Sequence, residues 1–167
     1  MADIIELISA DHEWLRRHFR YLDDARTEEE LAAIWDLLAT RLDTHADAEE
    51  EVFYPALLKR GEAGDPEDET EDAITDHNEI RDAVREARRH PVGSHEWYEA
   101  VGTARTENSK HLDEEEREAL PDFAKSADAQ LRHELAMRWL CFYQQHQAGR
   151  GVDERNKDAD DYLAENG

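Results

Sequence analysis

The chain carries one cassette twice: HADAEEEVFYP beginning at His45 and HLDEEEREALP beginning at His111. Each copy has a His, a Glu four residues on, a second Glu beside it, and a Pro ten residues after the His. A shorter motif precedes each copy, DHEWLR at Asp11–Arg16 and DHNEIR at Asp76–Arg81, again with an Arg four residues after the His. His12 to His45 is 33 positions and His77 to His111 is 34, so the spacings agree to one residue. Two helix pairs built on one plan, related by an internal pseudo-two-fold, account for this.

The apolar pattern around these motifs is helical. Ile5, Ile8, Leu15, Phe19 and Leu22 form a seam over residues 3–22, with His12 splitting its one seven-residue step into four and three. Thr27 and Glu30 read as a capping box opening a second helix, with Leu31, Ile34, Leu38 and Leu42 facing inward. His45 and Glu49 extend that seam, and Pro55 should kink or end the helix. GEAGDPEDET reads as a loop, followed by a third helix from about Glu69 to Arg89 with its seam at Thr70, Ala73, His77, Ile80 and Val84. Ser94 is a candidate N-cap for a fourth helix through Trp97, Val101, Ala104, Asn108, His111 and Glu115, which Pro121 ends. A fifth, about Ala127–Gln147, presents Leu131, Leu135, Trp139 and Phe142, and Gly149 and Gly151 stop it. Short loops make consecutive helices antiparallel neighbours. The predicted fold is all-α: an antiparallel up-down-up-down four-helix bundle over residues 1–125, with an additional C-terminal helix and acidic tail over residues 126–167. In that tail Tyr162 and Leu163 are the residues able to dock.

Composition narrows the partners. A formal net charge of −23 argues against nucleic acid and against an anionic membrane surface. No apolar run approaches the roughly 20 residues of a spanning helix, and MADIIELISADHEW lacks the basic start of a secretory signal. The single cysteine, Cys141, leaves no intramolecular disulfide, so a cytoplasmic location is expected.

Six polar groups occupy seam positions where leucine would be expected: His12, His45, Glu49, His77, His111 and Glu115. Residues at i and i+4 share a helix face about 5–6 Å apart at Cβ, so each cassette's His and first Glu point together. Two carboxylates buried among imidazoles need positive charge, because an unpaired buried carboxylate costs several kcal/mol. Two divalent metals would supply it and leave room for a bridging hydroxide or oxide. Mixed imidazole–carboxylate ligation suits iron, manganese or zinc. Six donors cannot saturate two octahedral ions, so positions stay open for water, O2, peroxide or NO. Asp11 and Asp76, one residue before a His, are candidates to accept a hydrogen bond from an imidazole N–H. Glu50 and Glu116 lie one position off the seam and are expected to face solvent. Tyr54 is a candidate proton donor, although nine positions after His45 it falls on nearly the opposite helix face unless Pro55 distorts the helix. The remaining histidines, His18, His90, His95, His133 and His146, read as surface or packing residues.

The set DH at His12, HADAE at His45–Glu49, DH at His77 and HLDEE at His111–Glu115 resembles the hemerythrin-like proteins of the HHE cation-binding type, over roughly residues 3–125. The resemblance implies an oxo- or hydroxo-bridged pair of iron ions inside a four-helix bundle, with Glu49 and Glu115 bridging and the four histidines completing the irons. The oxygen-carrying hemerythrins have a further histidine one turn before the third-helix histidine, where this chain has Ala73. They also carry an Asp one residue further from the fourth-helix histidine than Glu115 stands from His111. The resemblance therefore implies a catalase-like activity on hydrogen peroxide, in oxidative-stress defence, with no catalytic residue beyond the metal ligands. Its alternative is an O2-, NO- or iron-binding or sensing protein without turnover, whose protein partner the sequence leaves open.

Overall fold

A computed structural model describes residues 1–167. All its regular structure is helical: α1 (Ile4–Asp24), α2 (Glu28–Ala48), α3 (Tyr54–Arg60), α4 (Pro66–Ala87), α5 (His95–Arg117), α6 (Ala119–Ser126), α7 (Ala129–Gln145) and α8 (Ala159–Asn166). A π-helical turn, Glu49–Phe53, joins α2 to α3. Helices α1, α2, α4 and α5 close a four-helix bundle, each packing on two of the others. Helix α7 lies against α1 and α2, and α8 against α4.

Two separate apolar clusters fill the bundle. One holds Ile4, Ile8, Phe53, Leu57, Ile74, Leu120 and Phe123 together with Leu135 and Trp139 of α7. The other holds Leu15, Phe19, Trp35, Leu38, Leu42, Ile80, Val84, Trp97 and Val101. Helices α1, α2 and α4 each pass from one cluster to the other with a histidine between, in alternating directions, while α5 stays with the second cluster and α6 beyond it joins the first. Each fully buried Leu, Ile or Phe contributes about 1.5–3 kcal/mol of transfer free energy. The polar layer between the clusters forgoes that contribution.

The helix starts follow the sequence. Thr27 and Glu30 make the capping box, and Ser94 caps α5 by accepting from the Trp97 N–H. Other details differ from the sequence expectation. On α1 it is Ile4 that is fully buried and Ile5 only half-buried, and on α2 Trp35 replaces Ile34 on the inward face. Helix α4 begins at Pro66, earlier than Glu69, because Asp65 caps it and proline suits the first turn, where no N–H is needed. Pro121 does end α5, whose last residue is Arg117, but it then sits in the first turn of the short helix α6. Pro55 does not stop the helical path. The preceding turn widens to five residues, with the Tyr54 N–H donating to the Glu49 carbonyl, and α3 continues with Pro55 in its first turn.

The C-terminal segment fastens to that wide turn. Arg138 of α7 donates to the Glu51 carbonyl (3.2 Å), and the Tyr162 hydroxyl of α8 donates to the Glu50 carbonyl (2.5 Å). These are carbonyls that a π turn and a proline leave without regular helical partners. Tyr162 is buried as anticipated and Leu163 is half-buried.

Candidate metal centre

All six seam residues meet in the polar layer, each at most 4% exposed. Their ligand-type atoms form two groups that share Glu49: His12, His45, Glu49 and Glu115 in one, and Glu49, His77 and His111 in the other, with all atoms of a group within 4.8 Å of one another. Glu49 reaches both sides, its Oε1 2.9 Å from His45 Nε2 and its Oε2 3.1 Å from His77 Nε2. Glu115 Oε2 lies 3.0 Å from His12 Nε2 and 4.0 Å from His111 Nε2.

Of these short distances only the one between His77 Nε2 and Glu49 Oε2 is a hydrogen bond. His12 Nε2, His45 Nε2, Glu49 Oε1 and Glu115 Oε2 are buried without a hydrogen-bond partner, and they are the four residues of the first group. In the second group His77 Nε2 and His111 Nε2 face each other at 3.1 Å. Orphaned buried polar atoms each cost about 1–3 kcal/mol, so converging several of them is unfavourable unless a cation occupies the gap. Electrostatics say the same. Burial pushes the Glu49 carboxyl up, but His45, His111 and His12 outweigh it and hold it well below its ordinary range. Burial likewise opposes a charged His12, yet Glu115, Glu116 and Glu49 hold its pKa well above the usual 6.5. The layer attracts positive charge, and this donor set fits a metal pair.

What fixes the imidazoles overturns one sequence expectation. Glu50 and Glu116 do not simply face solvent: each accepts from an imidazole Nδ1–H across the bundle, Glu50 from His77 and Glu116 from His12, both at 2.8 Å. That hydrogen bond commits Nδ1 as the protonated nitrogen and turns the Nε2 lone pair toward the centre. The Arg four residues after each of these histidines completes the arrangement. Arg81 donates two bonds to Glu50 (2.9 and 2.9 Å), and Arg16 two to Glu116 (2.7 and 3.1 Å). Both carboxyls are held at about 2. For Glu50, burial is overcome by His77 and Arg81, and for Glu116 the His12 hydrogen bond leads. The signal was present in the sequence, in the second Glu of each cassette and in the Arg of each DH motif.

Asp11 and Asp76 stand beside the other two histidines. Asp11 accepts from His45 Nδ1 at 3.4 Å and is itself held by Arg41 (3.2 Å) and the Tyr143 hydroxyl (2.5 Å). Asp76 Oδ2 lies 3.9 Å from His111 Nδ1, an ion-pair distance longer than a hydrogen bond, while Lys110 binds its Oδ1 at 2.7 Å. Tyr143 and Lys110 were not singled out from sequence.

Tyr54 reaches the centre because of the wide turn. It stands one π-helical turn beyond Glu49, which rotates it by about a quarter turn from its regular α-helical direction. Its hydroxyl donates to Glu115 Oε1 at 2.8 Å. Burial, reinforced by Glu115 and Glu49, keeps this phenol protonated well above its ordinary pKa of 10. Tyr54, Ala73, His111 and Glu115 line a cavity of about 20 Å³ whose outer wall is acidic, with Glu69, Asp72 and Glu118. That is room for about one water-sized molecule. The other five histidines stay outside the layer. His18 stacks on Trp14 (3.4 Å between centroids), His90 bonds Glu86 (2.8 Å), and His133 faces the Ala2 carbonyl (3.1 Å).

The family model for the hemerythrin HHE cation-binding domain matches residues 3–123, the whole bundle and every residue of the polar layer. The chain belongs to the hemerythrin HHE cation-binding family. No curated protein and no solved structure matched it. As an HHE protein it is metal-binding and hemerythrin-like, and its buried His/Glu groups could hold a metal ion. No helix of this HHE chain is long and apolar enough to cross a membrane.

Proposed function

We propose that the layer holds two iron ions and that the protein disproportionates hydrogen peroxide, 2 H2O2 giving 2 H2O and O2, in a cytoplasmic defence against oxidative stress. The observation that carries this reading is the set of orphaned Nε2 and carboxylate oxygen atoms of His12, His45, Glu49 and Glu115, converging on a glutamate that also reaches His77 and His111. His12 and His45 would hold one iron and His77 and His111 the other. Glu49 would bridge, and Glu115 would contribute Oε2. Two irons bound there would supply redox chemistry that no side chain of the layer has.

The protein's own part is positional. Glu50, Glu116 and Asp11 aim the imidazoles by holding their Nδ1 protons. The apolar clusters on both sides keep bulk water out. Ala73 leaves open the space beside His111, and the cavity there admits a molecule no larger than peroxide, O2 or NO. Tyr54 holds a proton 2.8 Å from Glu115 at the edge of that space, which favours turnover of a peroxide over passive binding.

The test is to load the purified protein with ferrous iron, measure iron per chain, and follow oxygen release after adding peroxide. Two irons with sustained oxygen release are expected. Two irons with a stable O2 or NO adduct and no release would replace the enzyme with a binding or sensing protein. A chain that takes zinc alone would sink both readings.

A further inference from the structure

The two halves of the centre each set two histidines on the shared Glu49 but are backed differently, and the difference in backing comes from the C-terminal segment. Glu50 is shared by two cations. Arg81 grips it with both terminal nitrogens, and the Lys157 ammonium binds its Oε2. Lys157 is placed with care: the Asn78 side chain, one residue after His77, donates to the Lys157 carbonyl at 2.7 Å and accepts from the Lys157 N–H at 2.9 Å. Tyr162 fixes the Glu50 carbonyl at the same time. Around Glu116 there is one cation, Arg16, and it divides itself with Asp113 (3.0 Å). The pseudo-two-fold has no second lysine.

A carboxylate that accepts from a metal-bound imidazole pushes electron density through the ring to the metal. Cations on that carboxylate reduce the push, and they disfavour the higher charge of an oxidised metal directly. The first group also contains two carboxylates, Glu49 and Glu115, where the second contains Glu49 alone. Both differences act in one direction. We infer that Lys157 is a positioning residue that, through Glu50 and His77, makes the iron on the His77–His111 side the more easily reduced of the two. The C-terminal segment thereby gives a nearly symmetric centre an ordered sequence of electron uptake. This inference rests on the di-iron reading above.

The experiment compares the full chain with Lys157→Met and Lys157→Arg. Iron per chain is counted, the two one-electron couples are measured by spectroelectrochemistry, and the irons are distinguished by Mössbauer spectroscopy. In the metal-free proteins, the Nδ1 proton of His77 is followed by nitrogen–proton NMR. Lys157→Met is expected to keep two irons and to lower the higher of the two couples. At fixed potential the oxidised-to-reduced ratio of that iron should rise about tenfold, equivalent to about 59 mV. The other couple should move much less. Lys157→Arg should restore the wild-type value. The His77 proton should move downfield in the Met variant and return in the Arg variant. Unchanged couples, equal shifts in both, or an unmoved His77 proton would overturn the inference. If Lys157→Met does not fold, Lys157→Gln makes the same comparison. Wild-type protein binding fewer than two irons would defeat the di-iron reading, while the NMR result would still show whether Lys157 acts on His77.

Discussion

Around His77, the outer carboxylate Glu50 has no exposed side-chain surface and its partner Arg81 is 1% exposed. Around His12, the equivalent Glu116 is 37% exposed and Arg16 31%. The bonds are the same, from imidazole to carboxylate to guanidinium, but the surroundings are an interior on one side and a surface on the other. Such networks interact strongly where water is excluded and weakly where it screens them. The comparison teaches that an internal repeat can keep its ligands and still differentiate, by changing what covers each copy. Here the cover is the segment after residue 126.

The largest effect expected from this contrast is on Glu50. Replacing it with Ala leaves Arg81 and Lys157 without their carboxylate, and urea unfolding of the metal-free protein should lose about 3–5 kcal/mol, the usual result of breaking a buried pair. Glu116→Ala should lose about 1 kcal/mol or less, as partly exposed pairs do. Equal losses would break the distinction between the halves. Tyr54→Phe comes next. It strands Glu115 Oε1 in the interior and should cost about 1–3 kcal/mol in the same assay. Tyr162→Phe removes one hydrogen bond from the wide turn and should cost about 1 kcal/mol.

Acid titration sharpens the comparison further. Both outer carboxyls have folded pKa values of about 2, below their ordinary 4.5. A depressed carboxyl contributes stability that is fully present above its unfolded value and lost as pH falls through the folded one. Stability of the metal-free protein should therefore decline from about pH 5 toward pH 2. Glu50→Gln and Glu116→Gln should each flatten that decline. The smallest effect concerns Arg105 and Asp23, a surface pair at 2.8 and 2.9 Å. Breaking it should change stability by less than about 1 kcal/mol, and by less still in high salt.

The bundle and the six inward groups were legible because they follow from periodicity. A seam that places histidine where leucine belongs, twice and at matched spacing, leaves few other arrangements. Glu50 and Glu116 were misread as solvent-facing because a one-residue offset from a seam is ambiguous. Such a residue faces either water or the neighbouring helix, and only the crossing of α5 beside α1 and of α2 beside α4 decides it. Counting 100° per residue puts Tyr54 on the far face, and the wide turn before Pro55 is the distortion named as the exception. Lys157 and Tyr143 carried no local signal. Their partners, Glu50 and Asp11, are more than 100 residues away in sequence, and only the folded path of the last helices brings them near.

The two cassettes end in the same proline but resolve it by opposite means. In the second, the backbone breaks at Glu118 (φ −121°, ψ −78°) and the position equivalent to Tyr54 is the apolar Leu120. In the first, the coil stretches by one residue and stays continuous, acting as a gear that changes which way the next side chain looks. Winding the same residues at even α pitch would turn the phenol about a quarter turn off Glu115 and put every residue of α3 out of phase with the floor it now packs on. Removing a single residue between Glu50 and Phe53 would instead restore the even pitch and leave Tyr54 and α3 facing as they do now.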